Sequence, residues 1–288
     1  MGKDRQGRGA AQDCPVNATD AGAATARRAA AGAEPADGVA GEVNETIRQL
    51  SARKSVRSFT DRDIADADRQ LIIDSALQAP TAGNQILYTI LHVRDQAIKD
   101  ELAVLCDNQP FIASAPLVLI FLADHRRWLD AYTLAGAVPR APGPGDLLLA
   151  IADALIAAQN AVVAAHSLGI GSCYIGDILE QGESVSRLLE LDRYTVPAAM
   201  LVFGYPTDQQ RDRPKPRRFD ARYVVQTDRY TPLPATEIRE MFSEQSGQAD
   251  YSFDAVLKAF CERKYNSSFS VEMNRSAAWY LERFAGSP

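Results

Sequence analysis

Three cations and a hydroxyl fall within five residues at Arg53-Lys54-Ser55-Val56-Arg57. Beside an amphipathic helix, such a cluster either grips a phosphate through charge-assisted hydrogen bonds or stands as a solvated basic loop. Asn84 and Gln85 follow the turn Pro80-Thr81-Ala82-Gly83. Their planar amides both donate and accept, which suits the edge of a heteroaromatic ring; turn chemistry also accounts for these residue types. Lys215-Pro216-Arg217-Arg218 sits in a segment stiffened by Pro214 and Pro216. Its cations are either held ready for an anion at little ordering cost or belong to a structural loop.

Other chemistry has fewer residues to work with. Gly169-Ile170-Gly171 and Tyr174-Ile175-Gly176 form a loose Gly-rich turn without the spacing of a dinucleotide fingerprint or a P-loop. The histidines are His92, His125 and His166 alone. His166 reads as a helix-end residue and His92 as a strand-face residue. Ser167 cannot face its neighbour His166, because adjacent residues diverge around a helix. Cys173, beside a glycine turn, reads as accessible, with nothing near it to activate a thiolate. Cys14, Cys106, Cys173 and Cys261 lie far apart with no CxxC pair, which argues against a disulfide scaffold or a zinc site. Cations, amides and glycines without an acid–base pair suit a site where a bound cofactor carries the hard chemistry.

Hydrophobic spacing places these residues on elements. Val43, Ile47 and Leu50 recur at helical spacing just before the basic cluster. Asp66 to Ala79 carries Leu71, Ile72, Ala76 and Leu77 on one helical stripe and stops at Pro80. YTILHV alternates as a strand, Ile98 to Leu105 forms a short amphipathic helix, and PLVLIFLAD is a strand buried on both faces. Beyond the loop RAPGPG, Asp146 to Leu168 is a helix apolar nearly all round, interrupted by Asp146, Asp153, Gln159 and Asn160. That pattern marks a buried core helix or a subunit-interface helix, not a membrane span. LGIGSCYIG enters another strand, and PAAMLVFGYP makes one more, closed by Gly204 and Pro206. Thr236 to Phe284 is charged and amphipathic and adds further helices. Helices mixed with short, wholly apolar strands predict an α+β or three-layer architecture with a sheet of four or five strands.

Composition sets the outer bounds. The chain has 288 residues, 46% hydrophobic and 24% charged, and a net charge of −6. That balance argues against a dedicated nucleic-acid binder. No signal-peptide core and no uncharged apolar stretch of membrane-spanning length is present, so the expected compartment is the cytoplasm, with no membrane or nucleic-acid partner. Residues 1–41, rich in small residues and interleaved charges, read as a disordered leader.

The motifs RKSVRSFTDRDI, ALQAPTAGNQ, QPFIASAP, AAQNAVVAAHSLGIGSCYIGDI, LVFGYP and KPR follow one another in this order. In that order and at that spacing the chain resembles the FMN-dependent nitroreductase family. It is most similar to the branch of oxygen-insensitive nitroreductases and NADPH-flavin oxidoreductases that carry a C-terminal extension. The resemblance covers roughly residues 42–234, and KYNSSFSVEMNRSAAWYLERF resembles the tail of some members. It implies a three-layer α+β fold, a central, mostly antiparallel sheet flanked by helices, and an intertwined homodimer with FMN at the interface. Residues 42–235 would form the FMN-binding domain, and 236–288 a helical extension packing on it.

The resemblance also implies roles. Arg53, Lys54 and Ser55 would lie near the ribityl phosphate or the ring, and Arg57 near the N1/O2 edge, where a cation tunes the flavin. Pro80, Thr81, Ala82, Gly83 and Asn84 would approach the ring from the same or the partner subunit. Gln109 would contact the ribityl chain. Tyr174, Ile175, Gly176 and Asp177 would line the flavin face and its N5 edge. Lys215 and Arg217 would bind the phosphate. The implied activity is ping-pong transfer of electrons from NAD(P)H to a small-molecule acceptor, a nitroaromatic, a quinone or free flavin, with no catalytic side chain and no metal. Alternatives are an FMN-dependent tailoring oxidoreductase, a flavin-binding module without catalysis, and a non-flavin anion-binding protein. The chain departs from its relatives at MFSEQSGQAD, near Met241 to Asp250, which has no basic residue for an NADPH 2′-phosphate. RAPGPG lies where the family's substrate lid varies.

Overall fold

Every residue of one strand, Leu117–Asp124, is buried, and the rest of the molecule is arranged around that fact. The computed structural model describes residues 44–285; the expectations for residues 1–41, and for Val43, lie outside these. The strands are Tyr88–Val93 (β1), Leu117–Asp124 (β2), Gly171–Ile175 (β3) and Thr195–Gly204 (β4). They form one sheet in the order β1-β2-β4-β3, antiparallel throughout. The helices are Glu45–Ala52 (α1), Asp66–Leu77 (α2), Gln96–Leu105 (α3), Pro110–Ala113 (α4), Arg126–Leu134 (α5) and Pro144–Ser167 (α6). Gly182–Leu188 (α7), Asp208–Asp212 (α8), Ala221–Val224 (α9), Ala235–Ser246 (α10), Phe253–Lys264 (α11) and Ser268–Ala285 (α12) follow.

β2 explains the layers. Its alternate residues Leu117, Leu119 and Phe121 join a cluster with Ile72 and Ala76 of α2, and with Ala154, Ala158 and Val162 of α6. Val118, Ile120 and Leu122 point the other way, to Leu102 of α3, Ile112 of α4 and Val185 of α7. Both faces are thus covered by helices, so the strand is apolar at every position and shows no period-two pattern. Each fully buried Leu or Phe contributes about 1.5–3 kcal/mol of transfer free energy. The result is a three-layer α+β fold with four strands.

Local signals account for the element ends. The Asp95 carboxylate caps α3, accepting from the amides of Ala97 at 2.8 Å and Ile98 at 3.3 Å. α6 starts with Pro144 in its first turn, and Asp146 Oδ2 accepts from Gly143 N at 2.8 Å. Arg140, in the loop before it, hydrogen-bonds both Asp146 oxygens and holds that carboxyl down to about 2. α6 is long and apolar enough to cross a membrane, yet its small-residue face, with Ala150, Ala154, Ala157, Ala158 and Ala161, is buried in the core.

Three expectations are corrected. The stripe on α2 divides: Ile72 and Ala76 are buried, but Leu71 and Leu77 are about half exposed. Residues at i and i+1 sit 100° apart around a helix, and only one of each pair faces the sheet. Cys173 is buried rather than accessible, because β3 places it on the α3/α7 face of the sheet, and burial pushes its thiol up. The last strand begins at Thr195, two residues before its apolar run at Pro197.

The C-terminal helix α12 docks through a close approach at Gly182. The Gly182 amide donates to Ser276 Oγ at 2.8 Å, and Ser276 Oγ donates to the Leu179 carbonyl at 2.6 Å. A Cβ at Gly182 would stand 2.8 Å from both Ser276 Oγ and Tyr280 Cε2 and 2.9 Å from Trp279 Cε3. Gly182→Ala is therefore expected to cost about 1–3 kcal/mol through overpacking. A lowered melting temperature together with faster proteolysis inside α12 checks this; an unchanged melting curve contradicts it.

Candidate functional site

The basic cluster follows α1 and runs along the free edge of the sheet. Ser55 forms a parallel bridge to Ser172 of β3, and the Val56 amide donates to the Ser172 carbonyl at 2.9 Å. Further on, Phe59 bridges Pro206, and the Thr60 amide donates to the Tyr205 carbonyl at 2.8 Å. Gly171 is required where this segment crosses: a Cβ there would sit 2.6 Å from Val56 Cγ2. Arg53 and Lys54 thereby reach a cavity of about 300 Å³ that they line with His166, Gly171, Gln210 and Arg211.

A second segment, residues 208–217, is laced to the first. Lys54 Nζ donates to the carbonyls of Arg211, at 2.7 Å, and Arg213. Arg213 Nη2 donates to the Ser55 carbonyl at 2.7 Å, and Lys215 Nζ to the Ser51 carbonyl at 2.5 Å. Arg53 and Lys215 lie close enough that both help lower the His166 pKa, after burial itself. His166 is thus a neutral neighbour of the cations at pH 7. Within this group, Arg53 Nη1 is buried and has no hydrogen-bond partner. A buried guanidinium nitrogen without an acceptor is costly, and an anion drawn to this cationic group is the kind of partner that offsets the cost.

The structure brings several expected residues together and holds others apart. Arg57 and Ser55 lie close to the Cys173 thiol, which itself donates to the Tyr174 carbonyl at 3.4 Å, and the Arg57 amide donates to Gln210 Oε1 at 3.3 Å. Gln109 and Asp177 meet directly: Gln109 Nε2 donates to Asp177 Oδ2 at 2.9 Å and to the Cys106 carbonyl at 2.8 Å. β3 links the two places, from Gly171 at the cavity to Tyr174 and Ile175, and then to the 3-10 turn Gly176–Leu179. Tyr174 hydroxyl donates to Gln159 Oε1 on α6 at 3.3 Å. Pro80 to Asn84 do not line the cavity of Arg53. Their loop is fastened to α6 on the N-terminal side of Gln159, by Asp153. Arg217 is turned away toward α10, its Nη1 donating to the Glu244 carbonyl at 3.2 Å.

Two cations that border the cavity or lace its walls, Arg211 and Arg213, escape the motif reading. Their only trace in the sequence is proximity, since Arg211 lies in the last turn of a short helix and Arg213 follows it, just before Lys215 and Arg217. A buried acid also borders the site. Glu180, 5% exposed, closes the Gly176–Leu179 turn and has a buried Oε1 without a hydrogen-bond partner. Burial, and then the charges of Asp177, Asp107 and Glu272, push it up to about 7.

The Nitroreductase family profile matches residues 50–205. The chain is similar to an FMN reductase (NAD(P)H) of Bacillus subtilis (strain 168), 28% identical over 247 residues that cover 84% of this chain and 92% of that one. An oxygen-insensitive NADPH nitroreductase of Salmonella typhimurium is 34% identical over 193 residues, 66% of this chain and 77% of its own length. Among solved structures, the NADPH:FMN oxidoreductase of Vibrio harveyi complexed with NAD+ has a TM-score of 0.69 at 28% identity, covering 83% of this chain and 98% of that one. B. megaterium NfrA2 has a TM-score of 0.69 at 29% identity, covering 85% of this chain and all of its own.

Proposed function

The chain belongs to the nitroreductase family, and from that premise we propose that it is an FMN-dependent NAD(P)H oxidoreductase whose acceptors are nitroaromatics, quinones or free flavins. The observation that carries this reading is Arg53, which lines a cavity together with Lys54 and Arg211 and whose Nη1 is buried without a partner. That chemistry fits a phosphate. At about 300 Å³ the cavity is at the small end for a small-molecule site, so it suits the phosphate end and leaves the ring beyond it.

FMN, when bound, supplies the redox chemistry, taking electrons from NAD(P)H and giving them to a second small molecule. The chain's own part is to hold and orient it. Arg53 and Lys215 would hold the phosphate, with Arg217 joining if it leaves the Glu244 carbonyl. Gln109 would hold the ribityl chain, its amide already aimed by Asp177. Arg57 and the Tyr174–Asp177 segment would border the ring.

Two copies would complete the site. Leu148, Leu149, Leu155 and Ile156 lie exposed on α6, as do Leu71 and Leu77 on the adjoining α2. Apolar faces of this kind, on helices that border the site, support a homodimer in which the Pro80–Asn84 loop of one subunit meets the flavin of the other. The helical segment 236–288 is part of the same reading as an extension of the domain, and so is a cytoplasmic setting.

Purified protein is expected to bind FMN and turn yellow. Anaerobic stopped-flow mixing with NADH and with NADPH should bleach the flavin bands, and a panel of oxidants should restore them. Protein that stays colourless with added FMN rules the reading out. Bound FMN that neither nicotinamide bleaches would make the chain a flavin-binding module. Bleaching with slow turnover of nitrofurazone would favour the tailoring reading.

A further inference from the structure

Asp153 lies on the buried face of α6 at 3% exposure, where a carboxylate must find donors. It finds two, both main-chain amides of one loop. The Ala82 amide donates to Oδ1 at 2.9 Å, and the Leu87 amide to Oδ2 at 3.3 Å. The carboxylate therefore holds both ends of the stretch 82–87 and reaches it from a different element.

Between those two anchor points the backbone is unusual. Gly83, Asn84 and Ile86 have φ of 57°, 56° and 52°. Glycine takes the left-handed region freely and asparagine more readily than most residues, but the β-branched Ile86 does not, and it costs about 1–3 kcal/mol unless its surroundings over-determine it. The surroundings do so here. Trp128 Nε1 donates to the Gln85 carbonyl at 2.8 Å, and the Ile86 amide donates to Thr81 Oγ1 at 3.2 Å. Arg127 Nη1 donates to the Ile86 carbonyl at 3.3 Å. All this holds in place a loop whose left-handed residues Gly83, Asn84 and Ile86 are exposed and fill no core. Strain retained at exposed positions points to a shape needed for something outside the fold.

We propose that Asp153 is a positioning residue, whose carboxylate keeps the Ala82–Ile86 loop in its left-handed shape so that Asn84 meets the edge of a flavin ring. The proposal rests on the reading above that this loop approaches FMN. It differs from a purely structural role in what it predicts for ligand binding.

The test compares wild type, Asp153→Asn and Ala82→Pro by FMN titration, by the visible circular dichroism of the bound flavin, and by amide exchange over residues 81–88. Asp153→Asn keeps the shape of the side chain but gives up one acceptor. Ala82→Pro deletes one donor and leaves Asp153 intact. Thr81, at φ −133° and ψ 153°, already has the extended backbone that a following proline demands. Both variants are expected to speed exchange in the loop, weaken FMN at least tenfold and alter the dichroism of the bound flavin. Faster exchange with wild-type FMN affinity and dichroism, in either variant, would overturn the proposal and leave Asp153 a structural clamp. If Asp153→Asn fails to fold, Ala82→Pro decides alone. Wild type that binds no FMN would remove the functional reading, and this proposal with it.

Discussion

Arg53→Ala is expected to weaken FMN roughly 10–150-fold while leaving the affinity for riboflavin, which lacks the phosphate, at its wild-type value. The number follows from one charged hydrogen bond worth about 1.5–3 kcal/mol, at 1.4 kcal/mol per factor of ten. The direction follows from geometry. Lys54 gives its ammonium group to the carbonyls of Arg211 and Arg213, and Lys215 gives one of its hydrogens to the Ser51 carbonyl, whereas Arg53 keeps a buried nitrogen without any acceptor. Arg53→Lys should recover only part of the loss, because a point charge cannot reproduce the guanidinium fork. Titration of both flavins into each variant checks this. Equal losses for FMN and riboflavin would move Arg53 from the phosphate to the ring. No loss for either would take it out of the site.

Glu180→Gln is expected to flatten the alkaline side of the stability–pH profile. Burial of the carboxyl, and then the charges of Asp177, Asp107 and Glu272, raise it from 4.5 to about 7. The nearby cation is taken: Arg275 pairs with Glu183 at 2.7 Å and with Glu272 at 2.8 Å. A carboxyl raised on folding binds its proton more tightly in the native state. Its contribution is thus complete below pH 4.5, declines as pH rises, and is gone above about 7. The decline amounts to about 3 kcal/mol, or roughly 6–12 °C in melting temperature. Glutamine keeps the neutral form at every pH, and its amide can donate to the surrounding carboxylates. The variant should match wild type near pH 5 and exceed it at pH 8. Melting curves that run parallel from pH 5 to 9 would show that Glu180 is ionised throughout.

Much of the fold is legible because burial leaves a plain trace. PLVLIFLAD can only be a strand covered on both faces, and the small residues of the long helix have to lie against something flat. The α2 stripe is harder. Leu71 and Leu77 sit as close to Ile72 and Ala76 in sequence as core residues would, and no local signal says which of two adjacent apolar residues faces the sheet. Cys173 misleads for a related reason, since Gly171 before it marks a close approach by Val56 and not an opening to solvent. At the candidate site the cations are visible as types, but their commitments are not. That Lys54 and Lys215 serve main-chain carbonyls while Arg53 does not depends on contacts across more than 150 residues. Asp153 reads only as an interruption in an apolar helix, because its partners are backbone amides, which carry no sequence signature.

The Ser55–Ser172 bridge makes the Arg53–Arg57 segment a partial fifth strand, sealing the outer margin of β3. The same few residues therefore do two jobs, and a ligand that pins Arg53 also fastens the seal. Loss of that seal would uncover main-chain donors and acceptors on which another chain can add a strand. A ligand bound only by the folded chain would protect that edge by mass action, so preparations stripped of it should cloud on storage where loaded ones stay clear.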